Sequence, residues 1–98
     1  MLDAVVKLDD IDYLEASRNY VVVHAGPREY LLRRTINELE KQLAGQAFLR
    51  THRGYIVNVD RIREIKPVDG AHRILLKEGQ DIPLSRSYRD TVKKRLAG

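Results

Sequence analysis

Short runs of β-branched and apolar residues, each bounded by turn-forming residues, constrain the fold of this chain more than any other feature. Residues 62–68 form one such run, and Asp69-Gly70 and Glu78-Gly79 are turn signals on either side of the next run. Short runs of this kind are typical of strands, in which successive side chains point to opposite faces. With 98 residues, the chain has the length of one domain. We therefore expect a single, mainly β domain over residues 1–98.

Eight strands can be placed from the sequence, and turn residues connect the first of them. Arg18-Asn19 is expected to close a hairpin, and Gly26-Pro27 to form the next turn, because Gly and Pro fix the backbone there. The expected strands lie at residues 4–8, 12–17, 20–24, 29–33, 55–59, 62–68, 73–77 and 80–84.

Two helices interrupt these strands. Thr35 and Glu38 have the spacing of a capping box, in which each side chain binds a backbone donor of the other residue. This pattern predicts a helix near residues 35–44 that covers one sheet. A second, short helix is expected near residues 87–96, with Ser87 as its N-cap.

The positive charge is concentrated in the second half of the chain. Residues 1–49 hold six Lys or Arg and eight Asp or Glu, whereas residues 50–98 hold twelve and six, so the halves carry −2 and +6 and sum to +4. Arg outnumbers Lys, and its planar fork suits phosphate oxygens and guanine edges. This asymmetry indicates a polyanion-binding face, and a merely solvated basic face is the alternative.

No residue pattern in the sequence indicates an enzyme. The chain has no cysteine, its three histidines lack metal-ligand spacing, and neither a Gly-rich phosphate loop nor a nucleophile turn is present. We therefore expect no catalytic activity, no metal and no cofactor. Since no apolar run approaches the roughly 20 residues that span a bilayer, we also expect a cytoplasmic domain without membrane contact.

Three groups of polar residues at turns or element ends are candidates for nucleic-acid contacts. Arg and Asn can pair with guanine and adenine edges, and a helix N-terminus favours a phosphate. The first cluster is Arg18, Asn19 and Tyr20, the second is His52 and Arg53, and the third is Ser85, Arg86, Ser87 and Arg89. Arg50, just before the second cluster, is a further candidate phosphate or base ligand.

Structural roles are the alternatives for the same residues. Asn19 tolerates a left-handed turn conformation. His52 can be a packed residue bonded to a carbonyl, and Ser87 can be an ordinary N-cap beside solvated arginines. For Asn58, next to a turn at Asp60, a strand-end cap is the favoured role.

Three segments resemble the LytTR family of bacterial DNA-binding domains. They are Ile11-Asp12-Tyr13-Leu14-Glu15-Ala16 with a later Tyr20, Arg50-x-His52-Arg53-x-Tyr55-x-Val57-Asn58, and Leu84-Ser85-Arg86-x-Tyr88. The second is the most specific, and the likeness covers about residues 3–96. At Gly54 the family usually has Ser, so a hydroxyl contact from that position is lost here.

The resemblance implies an elongated fold of about ten strands in three small antiparallel sheets. It also implies that loops, rather than a recognition helix, enter successive major grooves of double-stranded DNA. The contacts would come from all three clusters, with Asn19, Arg53 and Arg86 on base edges. An upstream receiver or sensor domain, tandem direct repeats in the DNA and a possible dimer on them are further implications. The alternative from a different class is a β-rich protein-interaction module whose basic face meets an acidic partner.

Overall fold

The computed structural model describes residues 6–97, which form eight strands and two helices. The strands are β1 (Tyr13–Ser17), β2 (Tyr20–Ala25), β3 (Arg28–Leu32), β4 (Phe48–His52), β5 (Tyr55–Asn58), β6 (Ile62–Val68), β7 (Ala71–Leu76) and β8 (Asp81–Leu84). The helices are α1 (Ile36–Gln42) and α2 (Arg86–Ala97), and short 3-10 turns lie at Leu8–Asp10 and Val59–Arg61. The predicted mainly β character is confirmed.

The described strands form two antiparallel sheets. The large sheet has the order β3-β2-β1-β5-β4, and the small sheet has the order β6-β7-β8. Strand β1 pairs with β2 on one side and with β5 on the other, where Tyr13 lies opposite Val57 and Glu15 opposite Tyr55. This pairing joins the N-terminal strands and the β4–β5 hairpin into one sheet. The described residues therefore contain eight strands in two sheets, which corrects the expected count of about ten strands in three sheets.

Two local predictions differ from the structure. Part of the strand expected at residues 4–8 lies outside the described residues, and Leu8 begins a 3-10 turn closed by a hydrogen bond from the Ile11 amide to the Leu8 carbonyl, 3.1 Å long. Strand β4 was not predicted, because its residues Arg50 and Thr51 look like a polar lead-in although both are buried.

Helix α1 begins as predicted. The Glu38 amide donates to Thr35 Oγ1 over 3.1 Å, and the Thr35 amide donates to Glu38 Oε1 over 3.1 Å, which completes the capping box. The helix lies on one face of the large sheet. The core between them consists of Ile11, Leu14, Val21, Val23, Leu32, Ile36, Leu39, Leu43, Phe48 and Ile56.

The other face of the large sheet packs, around β5, against the small sheet and α2. This second core consists of Val57, Ile74, Leu76, Ile82, Leu84 and Val92. Neighbouring residues of β5 thus serve different cores, since Ile56 faces α1 and Val57 faces the small sheet, as strand alternation requires. The domain measures 39 × 25 × 23 Å.

Helix α2 begins at Arg86, one residue earlier than predicted. Ser87 therefore lies inside the first turn, and the expectation that it is the N-cap is wrong. No helix among residues 6–97 is both long and apolar enough to cross a membrane.

Candidate nucleic-acid interface

Two chain reversals lie side by side at one end of the large sheet. Strand β1 runs towards the Arg18-Asn19 turn, and the antiparallel β5 starts just after the Arg53-Gly54 turn. The Ala16 amide donates to the Gly54 carbonyl over 2.8 Å, which ties the two turns together. Because each hairpin is two strands wide, their centres are about 10 Å apart. We call this the turn end of the large sheet.

The third cluster joins the turn end through the last residues of β4. The Ser85 amide donates to the Thr51 carbonyl over 2.9 Å, so the chain passes beside β4 just before it enters α2. The structure therefore brings all three clusters to one end of the molecule.

The first cluster forms the exposed tip of the β1–β2 hairpin. Arg18 has a φ of +56°, so Arg18 rather than Asn19 occupies the left-handed region. This conformation costs a residue with a side chain about 1–2 kcal/mol. Arg18 and Asn19 are both exposed, and Tyr20 keeps 41% of its surface. A left-handed turn conformation therefore does not account for Asn19.

Arg50 is a structural residue, and the expectation that it is a phosphate or base ligand is wrong. Its Nε donates to the His52 carbonyl over 2.8 Å, and its Nη1 donates to Asn37 Oδ1 over 2.9 Å and to Glu40 Oε1 over 2.7 Å. Its Nη2 donates to the Arg53 carbonyl. Only 8% of the surface of Arg50 is exposed. Its hydrogen bonds link the β4–β5 turn to α1.

His52 is a neutral acceptor within the same turn. Its Nδ1 accepts from the Gly54 amide over 3.0 Å, rather than contacting a carbonyl as the structural alternative required. Burial lowers the pKa of His52, and the charges of Arg53, Arg50 and Arg73 lower it further. Since Nδ1 accepts, the ring proton of the neutral imidazole is on Nε2, which leaves a donor for a ligand.

Arg53 and Gly54 complete the turn. The Arg53 carbonyl is held by Arg50, whereas its exposed guanidinium makes no ion pair within residues 6–97. A Cβ added at Gly54 would lie 3.6 Å from His52 Nδ1 and 4.0 Å from Ala16 Cβ, which are ordinary contact distances. The turn therefore has room for the Ser that the resemblance leads one to expect at this position.

The third cluster contains one free arginine and one held arginine. Arg86 and Ser87 are exposed in the first turn of α2. Arg89 Nη1 lies 3.1 Å from His72 Nδ1. Burial lowers the pKa of His72, followed by the charges of Arg89 and Lys93, so a neutral His72 accepts the Arg89 hydrogen bond. Arg86 is thus the more available of the two guanidinium groups.

Asn58 has the predicted capping role. Its Oδ1 accepts from the Asp60 amide over 3.0 Å, and its Nδ2 donates to the Ile11 carbonyl over 2.8 Å. Its side chain is buried and does not contribute to the turn end.

The sequence analysis missed Arg33 and Arg34. Val21 lies opposite Leu32 in the β2–β3 pairing, so the two arginines that follow Leu32 emerge beside the β1–β2 tip. The signal was the Arg-Arg pair directly after a strand expected to pair with the hairpin. Five guanidinium groups at this end form no ion pair within the described part of the chain: those of Arg18, Arg33, Arg34, Arg53 and Arg86.

The opposite end of the large sheet carries balanced charges. Its cavity of about 860 Å³ is lined by three carboxylates and three cations, Asp10, Asp12, Glu78, Arg28, Arg61 and Lys77. Arg61 Nε lies 2.9 Å from Asp12 Oδ1, and the Gly26 amide donates to Asp12 Oδ2 over 3.0 Å. Among residues 6–97, no group of His, Cys, Asp or Glu side chains is arranged to hold a metal ion.

A mainly β domain that gathers, at one end, arginines without ion pairs among residues 6–97 has the charge distribution of a nucleic-acid-binding domain. The family model for the LytTr DNA-binding domain matches residues 4–97. The chain therefore belongs to the LytTr DNA-binding domain family, and the resemblance noted in the sequence is confirmed.

Relatives and a solved structure agree with this assignment. The chain is 35% identical over 92 residues to the sensory transduction protein LytT of Bacillus anthracis, covering 93% of this chain and 37% of that protein. It is 33% identical over 85 residues to the transcriptional regulatory protein YpdB of Escherichia coli, covering 85% of this chain and 35% of that protein. A LytTr DNA-binding domain of a response regulator from Bacillus cereus superposes with a TM-score of 0.85 at 30% identity, covering 95% of this chain and 86% of that one. The chain thus spans little more than a third of the length of the LytT and YpdB relatives.

Proposed function

We propose that this chain binds double-stranded DNA in a sequence-specific manner and acts as the output domain of a bacterial transcription regulator. The observation that carries the proposal is the gathering, at one end of the fold, of five arginines that make no ion pair among residues 6–97. A duplex presents a dense, regular row of phosphates, and each cation that neutralises one releases a counterion.

The three clusters divide in this proposal into side chains that read bases and side chains that make other contacts, among which Arg18 binds phosphate. Asn19, Arg53 and Arg86 read base edges, because each is exposed on a different chain reversal or helix start. Arg53 is the strongest candidate, since Arg50 holds its backbone while its side chain stays free. A side chain that projects from a fixed turn loses less freedom on binding than one on a mobile loop. Tyr20, His52 Nε2, Ser85, Ser87 and Arg89 supply further polar contacts around these three.

We place loops in successive major grooves on one side of the duplex. The clusters come from two hairpin turns and one helix start, so several short elements would share the contact that a recognition helix makes in other folds.

The regulatory setting is also a proposal. The matched relatives bear the names of sensory transduction and transcriptional regulatory proteins, and this chain corresponds to 37% or less of the two relatives described above. We place a receiver or sensor domain before this domain, and two copies on tandem direct repeats that pair on the DNA. Such a regulator acts on bacterial chromosomal DNA and hence in the cytoplasm.

Selection of bound duplexes from a random library, followed by titration of selected and scrambled duplexes over a range of salt, tests the proposal. If about five cations neutralise phosphates, the logarithm of affinity falls with the logarithm of salt at a slope of roughly −4 to −5. The selected duplex should bind more tightly than the scrambled one at every salt concentration. A protein-interaction module with a basic face would instead yield no enriched sequence and equal affinities for both duplexes.

A further inference from the structure

The segment between β3 and α1 carries an arginine pair, Arg33 and Arg34, beside the first cluster. Strand β3 is the outermost strand of the large sheet on this side, next to β2. Because Leu32 lies opposite Val21, Arg33 emerges where the chain enters β2 at Tyr20. The arginine pair therefore lies lateral to the hairpin tip, on the side away from the second and third clusters.

A groove connects the arginine pair to the first cluster. Its volume is about 370 Å³, and its lining includes Arg18, Asn19 and Tyr20 from the first cluster and Arg33, Arg34 and Thr35 from the segment before α1. Arg33 is exposed and Arg34 is partly buried. A groove that receives arginines from two segments attracts anionic groups such as phosphates.

The charges of this groove are not balanced within the fold. Glu38 supplies the one carboxylate among the described residues that line it, against the guanidinium groups of Arg18, Arg33 and Arg34. The Thr35 amide and hydroxyl donate to Glu38 Oε1 over 3.1 and 3.0 Å. These hydrogen bonds lower the pKa of Glu38, and the charge of Arg34 contributes less. Glu38 is thus engaged in the helix cap, and a surplus of positive charge remains for a ligand.

We propose that Arg33 and Arg34 bind two backbone phosphates at the outer edge of the DNA site, beyond the bases that the first cluster reads. This inference rests on the proposed DNA binding. The arginine pair lies beside the tip rather than on it. When the tip enters a groove of the DNA, the arginine side chains therefore face the phosphates at the edge of that DNA groove. Contacts to phosphates position a protein on the duplex and carry no sequence information of their own.

The main test compares two double variants that remove the same charge. Arg33→Ala with Arg34→Ala removes the arginine pair, and Arg28→Ala with Arg63→Ala removes two exposed arginines elsewhere in the described chain. Affinities are measured by fluorescence anisotropy for the selected duplex, its single-base variants and a scrambled duplex at three salt concentrations. Thermal unfolding of each variant checks the fold, and Arg33→Lys with Arg34→Lys keeps the charge on a similar stem.

Loss of the arginine pair should make the salt slope shallower by about two, because each phosphate contact contributes roughly 0.9. At about 0.1 M salt, counterion release alone then gives a loss of up to roughly eightfold per arginine. All duplexes should weaken by the same factor, the lysine variant should keep the wild-type slope, and the control variant should lose less affinity. A slope equal to that of the control, or a change in preference among the single-base variants, would overturn the inference.

Shortened duplexes supply a second, independent measurement. Removing base pairs from the end nearest the first cluster should weaken the wild-type protein but leave the arginine-pair variant unchanged, because its contacts there are already gone. Equal sensitivity of both proteins to this truncation contradicts the inference. If the wild-type protein shows no salt-dependent binding to any duplex, the proposed function itself fails, and the two failures are thereby distinguished.

Discussion

The two ends of the large sheet use their charged side chains in opposite ways. At the turn end, Arg18, Arg53 and Arg86 are exposed and without ion pairs within residues 6–97. At the other end, Asp12 is 4% exposed and lies 2.9 Å from Arg61, in a cavity whose lining charges balance. Charges that the fold pairs contribute to its stability, whereas charges that it leaves unpaired are available to a ligand. Mutations at the two ends should therefore separate stability from binding.

The largest effect is expected from Asp12→Ala at the balanced end. The substitution leaves Arg61 without its partner and the Gly26 amide without its acceptor. Breaking a buried ion pair costs about 3–5 kcal/mol, and because Arg61 is partly exposed we expect a loss of about 2–3 kcal/mol in the free energy of unfolding. Urea unfolding measures the loss, and Asp10→Ala at an exposed site is the control. A folded Asp12→Ala protein that binds DNA less well than wild type would show that the ends are not independent.

Arg53→Ala at the turn end should affect binding and not stability. Loss of a bidentate base contact costs about 1–3 kcal/mol in binding free energy and relaxes specificity at one position. Lys93→Ala, an exposed cation on α2, is the comparison and should at most make the salt slope shallower by about one. Both variants should unfold within about 0.5 kcal/mol of wild type. If Arg53→Ala weakens specific and scrambled duplexes equally, Arg53 binds only phosphate and base reading must lie at Asn19 or Arg86.

Arg18→Gly should separate stability from DNA binding at a single residue. Gly adopts the left-handed conformation that Arg18 has, at φ +56°, without steric cost. After the entropy that Gly adds to the unfolded chain, we expect stability to stay equal or to rise by up to about 1 kcal/mol. DNA affinity should fall in the same variant, and Asp69→Gly, at another exposed residue with a positive φ (+49°) but outside the proposed site, is the control for the backbone change. A variant that becomes more stable and binds as tightly as wild type would show that Arg18 has no contact with DNA.

The smallest effect is a dependence of stability on pH at the turn end. The pKa values of His52 and His72 are lowered in the fold, by burial first and then by neighbouring cations. The unfolded chain therefore binds protons at these sites before the folded chain does. Their contribution to stability is fully present above the unfolded pKa of about 6.5 and is lost as pH falls below it. Urea unfolding of wild type and of His52→Gln with His72→Gln between pH 7.5 and 5.5 measures this contribution, and parallel curves would contradict it.

The local elements of this fold and the pairing of consecutive strands in the β1–β2 and β7–β8 hairpins could be predicted, whereas the pairing of strands distant in sequence could not. The Thr35–Glu38 capping box and the alternation in residues 62–68 are signals contained within a few positions, and both elements formed where expected. Strand β4 was not predicted because the hydrogen-bond partners of its buried Arg50 are distant in sequence. These partners, Asn37 and Glu40, are ten or more residues away. The junction of β1 with β5 depends on a contact about 40 residues apart along the chain, between Glu15 and Tyr55. No local pattern encodes this contact. The expected number of three sheets came from the resemblance, and the described residues form two.

The distinction between signals within a few positions and contacts distant in sequence also applies to the candidate site. Residue types identified the three clusters, because Arg, Asn and Ser on turns suit phosphates and base edges. Whether an arginine is free or held depends on partners that only the fold supplies. Arg50 and Arg53 are three positions apart, yet one is buried with its donors taken and the other is exposed. Arg33 and Arg34 became candidates only through the pairing of β2 with β3.

The position of strand β5 determines which parts of the domain can unfold locally and which unfold only with the whole domain. It is hydrogen-bonded to β1 on one side and β4 on the other, and its residues Ile56 and Val57 are buried in different cores. Amides in such a strand exchange with solvent only when the whole domain unfolds, whereas exposed loops open locally at little cost. The turn that carries Arg53 therefore leads directly into β5, the strand whose amides we expect to exchange most slowly. The strand end to which this turn is attached therefore stays in place for as long as the domain is folded.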